Sequence, residues 1–270
     1  MVIAATLGAG CASSLPLARV QPVAIHARGD AAEIDAFAAS VDAALAAIAG
    51  RLELALPARG LEIRLFGSRR SMNGFLREHC PEQSGKAAAC FSRPGGFTVT
   101  VAKSAQPGET ERALRHELTH YLLASHYRHL PRWIDEGLAQ YLEVDPSRPR
   151  GDKRELFVGQ RVPTTASALT ELISRVPRGP LAREQYLLSW ALASFLMEDD
   201  SQGRDRVKEY LSATAAADKA LDRFEASFGS LAEQRPAWES FLSRMNLLAG
   251  ATSRPAGRPA TVCPPHPGSC

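Results

Sequence analysis

Residues 30–53 place Ile34, Phe37, Val41, Leu45, Ile48 and Leu52 three or four positions apart in an Ala-rich background. That spacing predicts an amphipathic helix. The pattern differs on either side of it. Residues 20–26 read as a short strand after an extended lead-in from Leu15. Residues 61–66 (LEIRLF) alternate apolar with polar and stop at Gly67, as a half-buried strand does. Residues 71–79 suit a short helix, and residues 97–102 (FTVTVA) predict another strand after the turn-forming Pro94-Gly95-Gly96. From Gly108 to about Leu248 the pattern is almost wholly helical, with no internal repeat. A small sheet followed by helices predicts the α+β class. We expect one domain over residues 20–248, with lobes of about 20–128 and 129–248, and a disordered Pro/Gly/Ser/Arg-rich tail over 249–270.

Composition narrows the function classes. With 270 residues, 45% of them hydrophobic, the chain can bury one sizeable core but is too short for a barrel enzyme with a large appended domain. A net charge of +3 is too mild for a nucleic-acid footprint. No apolar run is long enough for a membrane-spanning helix. Residues 1–19 carry a different signal. The small apolar run Met1 to Gly10, then Cys11 followed by Ala12, Ser13 and Ser14, resembles the end of a bacterial lipoprotein signal peptide. The resemblance implies export, lipid on Cys11, and a periplasmic or membrane-anchored protein tethered without spanning. The other reading is a frayed N-terminus with an incidental cysteine. With Cys11 set aside, Cys80 with Cys90 and Cys263 with Cys270 form two close pairs that suit disulfides in an oxidising compartment. Unpaired buried thiols are the alternative, and the absence of C-x2-C spacing disfavours a cysteine zinc site.

The candidate chemistry lies in His116-Glu117-Leu118-Thr119-His120, an HExxH motif in a helical segment starting near Glu109. Histidines four residues apart lie about 40° apart around a helix, so both imidazoles can reach one metal ion. Glu117 is rotated roughly a sixth to a quarter turn from each, where it can take a proton from a water on the metal without ligating it. Sixteen residues after His120, Glu136 stands in a second helix, PRWIDEGLAQYLE (131–143), that opens after a Pro turn. A returning helix can bring Glu136 to the His pair as a third ligand. Two imidazoles, a carboxylate and a water form the open arrangement of a catalytic zinc. Gly137, in the first turn of that helix, costs roughly 1 kcal/mol of helix stability against Ala, which close approach of the two helices would explain.

HELTH followed by W-x-x-E-G-x-A-x-Y resembles the gluzincin zinc metallopeptidases, specifically the bacterial peptidase-MA-like domains. The motifs cover residues 109–143, with a looser match over the Tyr-led segment 186–196 (YLLSWALASFL). The resemblance implies a zincin-like fold, a Zn2+ ion and hydrolysis of a peptide or protein substrate. It assigns His116, His120 and Glu136 as metal ligands and Glu117 as the catalytic base.

Tyr186 is a candidate donor to the oxyanion of the tetrahedral intermediate, and a core aromatic would look the same. Asp135, Gln140 and Glu143 are candidates to orient the histidines, against ordinary surface placement. His126, six residues after His120, has metzincin spacing, but Leu123 stands where a Gly would let the chain turn. An uninterrupted helix would carry His126 about 120° away from His120. It then serves better, with His129, at the helix C-terminus. The basic stretch 148–154 reads as a solvated loop rather than a cleft border. The alternative function is a non-catalytic envelope lipoprotein that binds a partner and uses zinc as a structural brace, although a brace needs no Glu117.

Overall fold

Six strands form one sheet in the order β1-β2-β3-β4-β6-β5: β1 (Val2–Ile3), β2 (Leu17–Val20), β3 (Val23–Ala27), β4 (Gly60–Phe66), β5 (Ala88–Arg93) and β6 (Gly96–Ala102). The computed structural model describes residues 2–3, 17–20, 23–27, 29–57, 60–106, 108–144, 162–163, 165–174, 181–198, 202–213 and 219–245. The lipoprotein-like Cys11, the basic stretch 148–154, the tail from 249 and the Cys263/Cys270 pair lie outside them. The class is mixed α+β, as the pattern predicts.

Strands β3, β4 and β6 are parallel, with Ile25 beside Ile63 and Ile63 beside Val99. Their odd-numbered residues line one face. There Ile25, Ile63, Val99 and Val101 pack under two helices, α1 (Ala31–Leu52) and α3 (Glu109–His126). Asp30 caps α1 by accepting the Glu33 amide at 2.9 Å, which fixes the start that the apolar spacing predicts. On the opposite face α2 (Arg69–His79) sets Met72 and Leu76 against Ala89 and Ala102.

Two elements depart from expectation. The strand expected over 20–26 is divided, with Val20 ending β2 and Val23 opening β3. β5 (AACFSR) has neither clean alternation nor β-branched residues. It forms because β6 presents an open edge and Pro94-Gly95 turns the chain back, with Gly95 at φ +85° where a side chain would be strained. The result is an antiparallel edge strand with Cys90 beside Val99.

The disulfide expected between Cys80 and Cys90 is not formed. Cys80 packs with Ala89 on the α2 face. Cys90 is the next residue along β5, and successive side chains of a strand point to opposite faces. Cys80 instead donates to Glu82 Oε1 at 2.9 Å.

The remaining helices are α4 (Arg132–Leu142), α5 (Ala166–Ser174), α6 (Arg183–Glu198), α7 (Gly203–Ser212), α8 (Ala220–Phe228) and α9 (Leu231–Arg244). α6 is buried from Leu187 to Met197. One apolar core runs from the sheet into these helices, so the two expected lobes share it. Trp133 of α4 lies edge-on to Phe224 at 6.0 Å and 5.9 Å from Tyr210, anchoring α4 in that core. Among the described residues no helix is long and apolar enough to cross a membrane.

Candidate metal centre

α3 and α4 meet at the floor of a cleft of about 850 Å³. Arg115 of α3 donates from Nε to the Leu142 carbonyl at 3.1 Å, laying a buried cation on the C-terminal end of α4. Leu114, Leu118, Leu122, Ile134 and Leu138 fill the core between and beneath the two helices. This packing leaves the opposite edge of α3, with His116, Glu117 and His120, lining the cleft, and turns Glu136 of α4 toward them.

The three expected ligands converge. His116 Nε2 and His120 Nε2 are 3.2 Å apart, and Glu136 Oε2 lies 3.6 Å from the first and 3.8 Å from the second. A tetrahedral zinc with bonds of about 2.0–2.1 Å spaces its donors roughly 3.3–3.4 Å apart. The donor set therefore fits such an ion with only small closure.

Each ring is oriented from behind. His116 Nδ1 pairs with Glu143 Oε2 at 2.8 Å, and His120 Nδ1 with Asp135 Oδ1 at 2.9 Å. A proton on each Nδ1, donated to its carboxylate, leaves the Nε2 lone pairs facing the ion site. Arg132, one turn before Glu136, holds Oε1 at 3.1 Å, and Oε2 faces the imidazoles. Without a cation the rings must share positive charge. Burial alone would lower the His116 pKa, but the Glu136 and Glu143 carboxylates outweigh it and push it up to about 10. Burial would raise that of Glu136, yet both imidazoles and Arg132 bring it down to about 2. The site thus favours bound positive charge, which a divalent ion would supply in place of the proton.

Glu117 is buried and lines the same cleft. Tyr186, at the start of α6, also lines it, with its phenol against Arg132 and Glu136. Of the residues considered for orienting the histidines, Asp135 and Glu143 touch them, while Gln140 donates to the Tyr186 carbonyl at 3.2 Å and ties α4 to α6. His126 points elsewhere and donates from Nε2 to the Ala55 carbonyl at 2.8 Å, as a tether rather than a ligand. Gly137 does not serve the contact between α3 and α4. The close approach it allows is of α4 to α6, because a Cβ there would stand 2.5 Å from the Ser189 carbonyl oxygen.

Two features of the site escaped the sequence reading. Arg132 could have been found as a cation four residues before a buried carboxylate. β5, which lines the cleft with Ala88, Cys90 and Ser92, carried no strand signal. No family model matches the chain, and no curated protein matches it in sequence.

Proposed function

We propose that this protein is a zinc-dependent peptidase of the gluzincin type with a zincin-like fold. The observation that carries the reading is the convergence of His116 Nε2, His120 Nε2 and Glu136 Oε2 within 3.8 Å, next to Glu117 at the floor of an open cleft. Zinc bound by these three atoms would supply a Lewis acid and an acidified water. Glu117, adjacent to His116 and outside the three-donor group, takes the proton of the attacking water and returns it to the leaving amine. The Tyr186 phenol donates to the oxygen that gains negative charge as the carbonyl is attacked. Arg132 holds Glu136 in place and leaves Tyr186 a cationic neighbour.

The peptide class is supported by β5. It is a sheet edge whose outer backbone groups are unpaired among the described strands, and it lines the cleft. An extended peptide can add to such an edge, and antiparallel addition gives the more stable ladder. The reading includes export, with Cys11 as a lipid tether. Metal analysis of the purified protein, followed by a peptide-library cleavage screen with Glu117→Gln as control, tests it. Cleavage that requires zinc and Glu117 supports the reading. A zinc whose removal unfolds the protein, with no Glu117-dependent cleavage, would leave the metal as a brace.

A further inference from the structure

The cleft has a direction. Ser92 pairs with Phe97, and Phe97 packs edge-on against Tyr121 at 5.5 Å, so the end of β5 lies over the C-terminal half of α3. Cys90 interacts with Glu117 near the middle of that helix. β5 and α3 therefore run the same way, and the residues before β5 stand beside the first turns of α3. At that end Arg69, Lys86 and Arg112 line the cleft. At the other end the lining is Ser92, Phe97 and Ala124.

The basic end carries an excess of positive charge, with Glu109 as its one carboxylate. Asp135, Glu136 and Glu143 are committed to the histidines, and Glu109 accepts from Ser104 Oγ at 2.7 Å. Among the described residues Arg69, Lys86 and Arg112 make no ion pair. Three cations against the single Glu109 carboxylate leave that end of the cleft net positive, arranged to hold an anionic group of whatever the cleft binds.

We propose that the cleft selects peptides carrying a carboxylate, from a side chain or the chain terminus, on the carboxyl side of the scissile bond, held by Arg112, Lys86 and Arg69. This rests on the peptidase reading for the bond and on antiparallel addition to β5 for the direction. A substrate running opposite to β5 directs its carboxyl-side residues toward the start of that strand, where Lys86 stands. Arg112 is half-buried, one turn before His116, so its pairing is the least exposed to solvent of the three. Arg69 and Lys86 are exposed and act mainly through the field they share.

The test uses the zinc-loaded protein and a mixed dodecapeptide library, made once with free C-termini and once as carboxamides. Cleavage sites are read by mass spectrometry. Retention is measured separately on zinc-loaded Glu117→Gln. We expect Asp, Glu or a free terminus to be enriched just after the cleaved bond. The double variant Arg112→Gln/Lys86→Gln should lower the preference for acidic over amide counterparts by about three- to tenfold. Enrichment that survives in the carboxamides assigns a side-chain carboxylate, and enrichment lost there assigns the terminus. Cleavage without acidic preference overturns this inference and leaves the peptidase reading standing. Acidic peptides retained without cleavage, and released by the double variant, support the anionic ligand and end the hydrolase reading. Neither cleavage nor acidic retention overturns both.

Discussion

Adding a single methyl group at Gly137 tests how the ligand helix is held. A Cβ there would lie 2.5 Å from the Ser189 oxygen, 3.0 Å from the Ser189 carbonyl carbon and 3.0 Å from Ala193 Cβ. Ordinary carbon–oxygen contacts begin near about 3.3 Å, so α4 and α6 must part by roughly 0.8 Å. The obstacle is backbone on a buried helix, so no side chain can swing away. Overpacking of this kind costs about 1–3 kcal/mol, offset by up to about 1 kcal/mol from replacing a helical Gly with Ala. With the full offset the net effect lies between about zero and 2 kcal/mol of destabilisation, and Glu136, the neighbouring residue, moves with the helix. Gly74→Ala is the internal control, since Gly74 is exposed inside α2 and a Cβ there meets nothing within 4 Å. It should stabilise by about 0.5–1 kcal/mol. Urea unfolding of the metal-free proteins, paired with zinc titrations, measures both effects. Gly137→Ala that is stabilised like Gly74→Ala, with zinc affinity unchanged, would refute the packing argument.

Three further outcomes are expected. Asp135→Asn and Glu143→Gln each loosen one imidazole from behind, and each should weaken zinc binding by about 10- to 100-fold in competition with a chelator; unchanged affinity would show that the rings are held otherwise. Zinc must displace the proton favoured on His116, whose pKa is raised to about 10, whereas Glu136, near 2, is already ionised at neutral pH. Binding then releases the His116 proton below that pKa, and His120, whose pKa is also raised, adds to the release as pH falls, so the zinc Kd should tighten by at least about tenfold per pH unit across neutral pH, and a flat profile would contradict the shared-charge picture. Cys11→Ser should abolish lipid-dependent processing when the natural upstream sequence is present, and a wild-type protein recovered with five free thiols from the cytosol would end the export reading.

Much of the candidate metal site was legible because its information is local. The four-residue spacing of His116 and His120 fixes both rings on one helix face, and a Pro-initiated return helix brings Glu136 back within reach. The division of labour between Asp135 and Glu143 was not legible. Both lie within α4 or at its end, and which one meets which ring depends on how α3 crosses α4, a tertiary property set by core residues such as Leu118 and Leu138. The reason for Gly137 was hidden in the same way, since Ser189 lies 52 residues further along the chain. The sheet was legible where β-branched alternation announced it, in residues 61–66 and 97–102. β5 was not, because its pairing comes from the open edge of β6 rather than from its own sequence.

The measurement that tests the central claim most directly is zinc content paired with turnover in Glu117→Gln and Glu136→Gln, on a peptide that the wild type cleaves. Glu136 faces the ion site, so its variant should lose metal and turnover together. On the proposed reading Glu117 is the base and stands outside the three-donor group, so its variant should keep zinc near full occupancy while turnover falls by about 10²–10⁴-fold. Equal metal loss in the two variants, or undiminished turnover in Glu117→Gln, would contradict the account.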